Sequence, residues 1–148
     1  MTNGKGIKVN MTGIASGTVA LLWFYAALSK LGDFGHYQAA MQKQPFPPPI
    51  QQLLIWTLPS FELLTGAALL TGKYLKPGLY ASAVLFGSFA AYIALILSRT
   101  FGHIPCSCGG LIEHMGWSFH LWFNLAFLAL TLYIIWINQR KESGDTEE

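Results

Sequence analysis

Long stretches without charged residues dominate the hydrophobic pattern of this chain. Three of them, residues 9–29, 77–98 and 115–139, contain no Asp, Glu, Lys or Arg. A fourth, residues 44–72, contains Glu62 as its single charge. A helix needs about 20 apolar residues to cross the hydrocarbon core of a bilayer. Each stretch is therefore long enough to span a membrane.

The pattern predicts an all-α integral membrane protein, a four-transmembrane-helix bundle. The spans are predicted near Ile14–Leu31, Gln51–Gly72, Pro77–Ser98 and Trp117–Asn138. Continuous apolar runs disfavour a barrel, whose strands are short and alternate. We expect a membrane domain over residues 14–138, between a cytoplasmic segment 1–13 and an acidic cytoplasmic tail 139–148. The first span has no cleavage site of small residues after it, so we expect it to remain as an anchor.

Composition narrows the class of protein further. Hydrophobic residues make up 53% of the chain and charged residues only 11%, against about 25% charged residues in a soluble domain. This composition argues against a soluble enzyme and a disordered chain. It indicates that most of the chain lies in a lipid bilayer. A formal net charge of +2 without a basic run gives no sign of a nucleic-acid partner.

Basic residues predict the orientation. With four crossings, both termini lie on one side, together with the second connection. That side has six Lys and Arg residues: Lys5, Lys8, Lys73, Lys76, Arg140 and Lys141. The other has Lys30, Lys43 and Arg99. The positive-inside rule then predicts a multi-pass protein of the bacterial inner (plasma) membrane with cytoplasmic termini. The five tryptophans, Trp23, Trp56, Trp117, Trp122 and Trp136, are predicted to anchor the spans at the interfaces.

The connections differ in length and content. The second, residues 72–77, is short and predicts that the spans on either side are antiparallel neighbours. In the first, Phe34, Tyr37 and Met41 repeat at helical spacing and predict a short amphipathic helix on the outer surface. A proline-rich run then leads into the second span. Small residues four apart, such as Gly13 and Gly17 or Gly87 and Ala91, suit close helix packing.

The third connection contains both cysteines of the chain, Cys106 and Cys108, with one residue between them. On the outer side of the membrane the environment is oxidising. A disulfide across one residue closes a tight ring, so it should be strained and exchangeable, and it adds little stability. Two alternatives remain open: two unpaired thiols, or a metal site that adds His103 and His114, although zinc ligands are usually spaced more widely.

A few polar residues lie within or beside the spans. Glu62 is expected to form an interhelical hydrogen bond or, as the alternative, to serve in proton transfer or cofactor contact. His120 and Asn124 are four apart and share a helix face, where they would accept a proton near a thiol or hold helices together. Lys30 and Asp33, near the outer end of the first span, are candidates for an ion pair or for interface residues.

These residues resemble a known family. The sequence Leu-Ser-Lys30-Leu-Gly-Asp33-Phe closing the first span and Pro-Ser-Phe-Glu62-Leu-Leu-Thr-Gly in the second are similar to the DoxX-like membrane protein superfamily. The Pro-Cys106-Ser-Cys108-Gly-Gly loop, followed by His120 and Asn124, is similar to its MauE (methylamine utilisation) branch. The resemblance covers residues 14–138.

The resemblance implies a role in disulfide formation or redox maturation of periplasmic proteins, with a periplasmic thioredoxin-like partner. Cys106 and Cys108 match its redox pair, and Lys30, Asp33 and Glu62 match recurrent polar positions. The chain would then be a thiol–disulfide oxidoreductase, whose electrons leave with the partner or pass to a quinone. By local chemistry, Cys108 is expected to face the partner and Cys106 to resolve the mixed disulfide. The alternatives are a non-catalytic scaffold for a periplasmic oxidoreductase and a small transporter that uses Glu62.

Overall fold

The computed structural model describes residues 4–102 and 116–145, and this part of the chain is helical with short connections. The helices are α1 (Gly4–Gly32), α2 (Phe34–Gln42), α3 (Pro48–Leu70), α4 (Leu75–Leu97) and α5 (Trp117–Asp145), with a 3-10 turn (Gly72–Tyr74) before α4. The windows able to cross a membrane are Met11–Gly32, Pro48–Leu70, Gly72–Leu97 and Trp117–Ser143. The predicted four-span, all-α architecture is confirmed.

Large apolar side chains cover much of the outside of the bundle. Leu21, Leu64 and Val84 are each about two-thirds exposed. A water-soluble protein rarely exposes so much apolar surface, but in a bilayer these side chains contact lipid. Two helices are longer than the predicted spans: α1 begins at Gly4, and α5 continues to Asp145.

The short helix predicted in the first connection is confirmed as α2. Asp33 caps its N-terminus by accepting a hydrogen bond from the His36 backbone N–H at 3.2 Å. Its apolar residues Tyr37 and Met41 are buried against Ile55 of α3. The amphipathic face of α2 is therefore in contact with protein, and α2 continues the path of α1 along the first half of α3.

Helices α3 and α4 form a tight antiparallel hairpin, as the short second connection predicts. Gly78 permits their close approach, since a Cβ there would lie 3.1 Å from both the Ala68 Cβ and the Leu69 backbone nitrogen. Tyr92 of α4 reaches the segment between α2 and α3, where its ring stacks on Phe46 at 5.3 Å.

Helix α5 lies antiparallel to α4. Near its C-terminus, Gln139 donates a hydrogen bond to the Tyr80 hydroxyl at 3.0 Å, and Glu142 forms an ion pair with Lys76. The bundle thus has two ends. The hairpin end holds the 3-10 turn and the end of α5, whereas the loop end holds α2, the end of α4 and the start of α5.

The predicted interface position of Trp23 is wrong. Its side chain is 2% exposed in the core, and its ring stacks on Phe86 at 4.5 Å. Its indole N–H donates to the Ser82 hydroxyl at 2.8 Å. A buried partner therefore satisfies the N–H that an interfacial tryptophan would turn toward water.

Candidate functional site

A buried ion pair joins α1 to α3 in the interior of the bundle. The Lys30 ammonium donates to both carboxylate oxygens of Glu62, at 2.8 and 3.0 Å. The side chains are 13% and 1% exposed. An intramembrane carboxylate is costly unless it is paired or hydrogen-bonded, and here the pairing crosses between two spans.

Lys30 reaches this depth because its side chain runs back along its own helix. The ammonium also donates to the Ala26 carbonyl at 3.2 Å, one turn toward the N-terminus. Helical side chains generally cover the turn that precedes them. A lysine close to the end of α1 can therefore meet a glutamate near the middle of α3.

The ion pair lies on the wall of a cavity of about 490 Å³ in the half of the bundle toward the loop end. Every helix contributes to the lining, which is mainly aliphatic and aromatic. Members include Trp23 of α1, Tyr37 of α2, Phe61 of α3, Phe89 of α4 and Phe123 of α5. Cavities of about 300–1,000 Å³ with few polar groups are typical of sites for small molecules.

His120 and Asn124 line the same cavity from α5. Asn124 is buried, and its side-chain amide donates to the His120 carbonyl at 2.8 Å, within its own helix. The His120 ring is partly buried, and it makes no hydrogen bond among residues 4–102 and 116–145. The structure thus brings four of the predicted polar residues, Lys30, Glu62, His120 and Asn124, to one cavity.

Asp33 lies apart from this group. It is exposed, and its carboxylate caps α2. Lys30, three residues earlier, is bonded to Glu62 and not to Asp33. The ion pair considered for Lys30 and Asp33 is therefore not formed, and Asp33 instead lies at the start of α2, on the surface of the loop end.

Cys106 and Cys108 lie outside the described residues, as do His103 and His114. Their segment joins the end of α4 to the start of α5, beyond Arg99, whose φ of 55° falls in the left-handed region that often terminates a helix. Over the part of the chain that is described, no three His, Cys, Asp or Glu side chains come together as a metal site.

Sequence reasoning missed one polar contact of the cavity. Gln44, between α2 and α3, is 3% exposed and accepts a hydrogen bond from the Tyr92 hydroxyl at 2.5 Å. Gln44 and Tyr92 both line the cavity, as does Phe46. A glutamine at the start of a proline-rich connection is expected to be exposed to solvent, so the sequence around Gln44 does not indicate its buried hydrogen bond with Tyr92.

Four spanning helices around an internal cavity with a buried ion pair define a small multi-pass membrane protein with a polar site in its interior. A family model described as "Methylamine utilisation protein MauE" matches residues 8–137, and the chain belongs to this family. The resemblance seen in the sequence is thereby confirmed. Neither the curated proteins nor the solved structures contain a significant match.

Proposed function

We propose that this chain is a bacterial inner-membrane thiol–disulfide exchange protein that supports the maturation of periplasmic proteins in methylamine utilisation. Its reactive groups are Cys106 and Cys108, and its partner is a periplasmic thioredoxin-like protein. Membership of a family described by methylamine utilisation supports the pathway. Four spanning helices support the membrane location.

The observation that carries the exchange reaction is the placement of the cysteines. The chain has only two, one residue apart, and both lie in the connection between α4 and α5. A disulfide between them would close too small a loop to stabilise the fold appreciably. A strained pair is readily reduced and re-formed, which suits exchange.

The reaction proceeds in two balanced displacements. A thiolate of one protein attacks a disulfide sulfur of the other, which forms a mixed disulfide and releases one thiolate. The second thiolate of the attacking protein then attacks that protein's own sulfur in the mixed disulfide and releases the second thiolate of the other protein. One protein ends as a disulfide and the other as a dithiol, with two electrons transferred. Cys108 is assigned to the mixed disulfide and Cys106 to its resolution.

The distribution of basic residues supports the orientation that this reaction needs. Lys73, Lys76 and Arg140 lie at the hairpin end, whereas Lys43 and Arg99 lie toward the loop end. With the residues near the N-terminus counted, six basic residues lie at the hairpin end against Lys43 and Arg99 at the loop end, because Lys30 is paired with Glu62 inside the bundle. This bias favours a cytoplasmic hairpin end. The loop end with its cysteines then faces the periplasm.

Complementation with a Cys106→Ser, Cys108→Ser variant tests the proposal. Cells that lack the chain receive the wild type or this variant, and alkylation gel shifts report the thiol state of periplasmic thioredoxin-like proteins. We expect the wild type alone to restore the thiol state and growth on methylamine. If the double variant and Glu62→Gln both restore the thiol state and growth, the chain is a scaffold. If Glu62→Gln abolishes function while the double variant retains it, the chain is a transporter.

A further inference from the structure

The cavity between Lys30, Glu62 and His120 has no role in the exchange reaction itself. It lies within the membrane-spanning part of the bundle, and its volume of about 490 Å³ falls within the range of small-molecule sites. Two of its lining residues, Phe61 of α3 and Ser88 of α4, are also exposed. The cavity therefore opens to the surface of the bundle beside α3 and α4, where a ligand could enter from the lipid.

The polar groups of the cavity differ in how much of their hydrogen-bonding capacity is already used by other residues. The donors of the Lys30 ammonium are used by Glu62 and the Ala26 carbonyl. The His120 ring, in contrast, has no hydrogen bond to any residue in the described ranges, and it can donate or accept a proton. Among the described residues, the His120 ring is thus a proton-exchanging group of the cavity that no other side chain engages, and its surroundings are aromatic.

These features suit a planar ring whose polar atoms take up protons when it is reduced. The flat faces of such a ring would pack against Trp23, Phe86 and Phe89 of α1 and α4, where the indole stacks on Phe86 and is tilted against Phe89. An edge carbonyl would accept a hydrogen bond from His120. Because the cavity opens beside two spans, the ring would belong to a molecule dissolved in the bilayer.

We infer that this cavity binds the headgroup of a lipid-soluble quinone, with His120 as the hydrogen-bonding residue for one carbonyl. The inference rests on the proposed exchange function and gives it a direction. Reduced Cys106 and Cys108 form one S–S bond and release two electrons and two protons. A bound quinone would accept both, which leaves the cysteine pair ready to oxidise the next thioredoxin-like dithiol. In that direction the partner's thiolate attacks Cys108 and Cys106 leaves as a thiolate; in the reverse direction Cys106 resolves the same mixed disulfide.

The connection between α4 and α5 starts and ends at helices that line the cavity. Trp117, the first residue of α5, is part of the lining, and Cys108 precedes it by nine residues in the sequence. Tyr92, near the end of α4, also lines the cavity. The cysteines are thus attached to the same two helices that would hold the quinone.

Equilibrium binding of radiolabelled ubiquinone-1 to the full chain in lipid nanodiscs tests the inference directly. Ser88→Trp should fill the cavity mouth and weaken binding at least tenfold. Val84→Trp is the matched control, because Val84 is exposed one turn earlier on the same helix and does not line the cavity. It should leave binding within twofold of the wild type. His120→Phe keeps the ring volume and should weaken binding about fivefold, as expected for one lost hydrogen bond.

Two further arms separate this inference from the proposed function. The Cys106→Ser, Cys108→Ser variant should bind ubiquinone-1 as tightly as the wild type, even though it cannot exchange disulfides. Farnesol, which has an isoprenoid tail and no quinone ring, should not compete. Equal binding by Ser88→Trp and wild type, or full competition by farnesol, would overturn the quinone site while leaving disulfide exchange untouched.

Discussion

The Trp23 indole N–H donates a 2.8 Å hydrogen bond to the Ser82 hydroxyl, which connects α1 with α4 across the core. Both side chains are buried, and Phe86 stacks on the same indole one turn further along α4. This contact links α1 to α4 on the hairpin side of the cavity.

Loss of the Ser82 hydroxyl should destabilise the protein because the indole N–H is left buried without an acceptor. Such a group costs about 1–3 kcal/mol, so Ser82→Ala should lower the thermal midpoint of the purified protein in detergent. Combining it with Trp23→Phe, which removes the donor, should cost less than the sum of the two single variants. Strict additivity of the two would show that the hydrogen bond contributes nothing.

The Lys30–Glu62 pair predicts strong coupling between its members. Removal of one partner of a buried ion pair typically costs about 3–5 kcal/mol, whereas an apolar replacement of both is often tolerated. Lys30→Met and Glu62→Leu should each lower the amount of monodisperse protein in size-exclusion chromatography, and the double variant should recover much of it. Glu62→Gln should be milder than Glu62→Leu, since an amide oxygen still accepts from Lys30. Equal yields from all four variants would contradict a structural role for the pair.

Two glycines of α4 should respond oppositely to alanine. A Cβ at Gly78 would press on the Leu69 backbone at 3.1 Å, whereas a Cβ at Gly87 meets nothing within 4 Å. Overpacking typically costs about 1–3 kcal/mol, and α3 cannot move without loss of the hairpin contacts. Gly78→Ala should therefore reduce thermal stability, and Gly87→Ala should leave it unchanged or raise it. Thermal unfolding measures the stability of the two variants. A larger loss of stability for Gly87→Ala than for Gly78→Ala would mean that the helices do not approach at Gly78.

Single cysteine variants should trap the exchange intermediate. Cys106→Ser removes the resolving thiol, so Cys108 should accumulate a mixed disulfide with a periplasmic protein. The complex should appear on non-reducing gels and disappear with dithiothreitol. Cys108→Ser should yield no such band. The reverse pattern would exchange the two roles, and the absence of any band from both variants, together with full activity of the double variant, would exclude exchange.

Orientation in the membrane can be measured with a membrane-impermeant maleimide on spheroplasts. Reduced Cys106 and Cys108 should be labelled without opening the membrane. The control is Lys73→Cys in a Cys106→Ser, Cys108→Ser background, because Lys73 is exposed in the connection at the hairpin end. It should react only after permeabilisation. Labelling of the control alone on intact spheroplasts would invert the topology.

The spans and α2 could be predicted because the bilayer constrains both length and composition. Charge-free runs of 20 residues or more have few alternatives to a spanning helix. The repeat of Phe34, Tyr37 and Met41 likewise fits a single helix face, and the structure buries Tyr37 and Met41 on α3. Such features depend on local sequence, so they are visible without knowledge of helix packing.

Contacts between helices could not be predicted in the same way. The pairing of Glu62 with Lys30 depends on the register of α1 against α3 and on the path of a long side chain. Similarly, Gly13 and Gly17 have the spacing of a packing motif, yet within the described residues no heavy atom of a neighbouring element lies within 4 Å of a Cβ at either position. Close approaches in this part of the chain are found instead at Gly66 and Gly78. Spacing identifies a face of a helix, but it does not say whether another helix lies against that face.

The cysteine pair stays a prediction for a different reason. Its chemistry follows from residue type and spacing, while its distance from the cavity depends on a segment outside the described residues. His120 and Asn124 were grouped from a spacing of four, and the structure brings both to the cavity. What their sequence context could not indicate is that Lys30 and Glu62 line the same space.

The Lys30–Glu62 pair also determines how the protein responds to the voltage across its membrane. A charge that crosses the whole bilayer gains or loses about 2.3 kcal/mol per 100 mV. An ammonium and a carboxylate 2.8 Å apart form a small dipole with no net charge, so the field exerts almost no net force on the interior of the bundle. The pair itself should therefore add no dependence on the membrane potential to the stability of the fold, whereas in a Glu62→Gln protein the positive charge of Lys30 would be uncompensated and would add such a dependence.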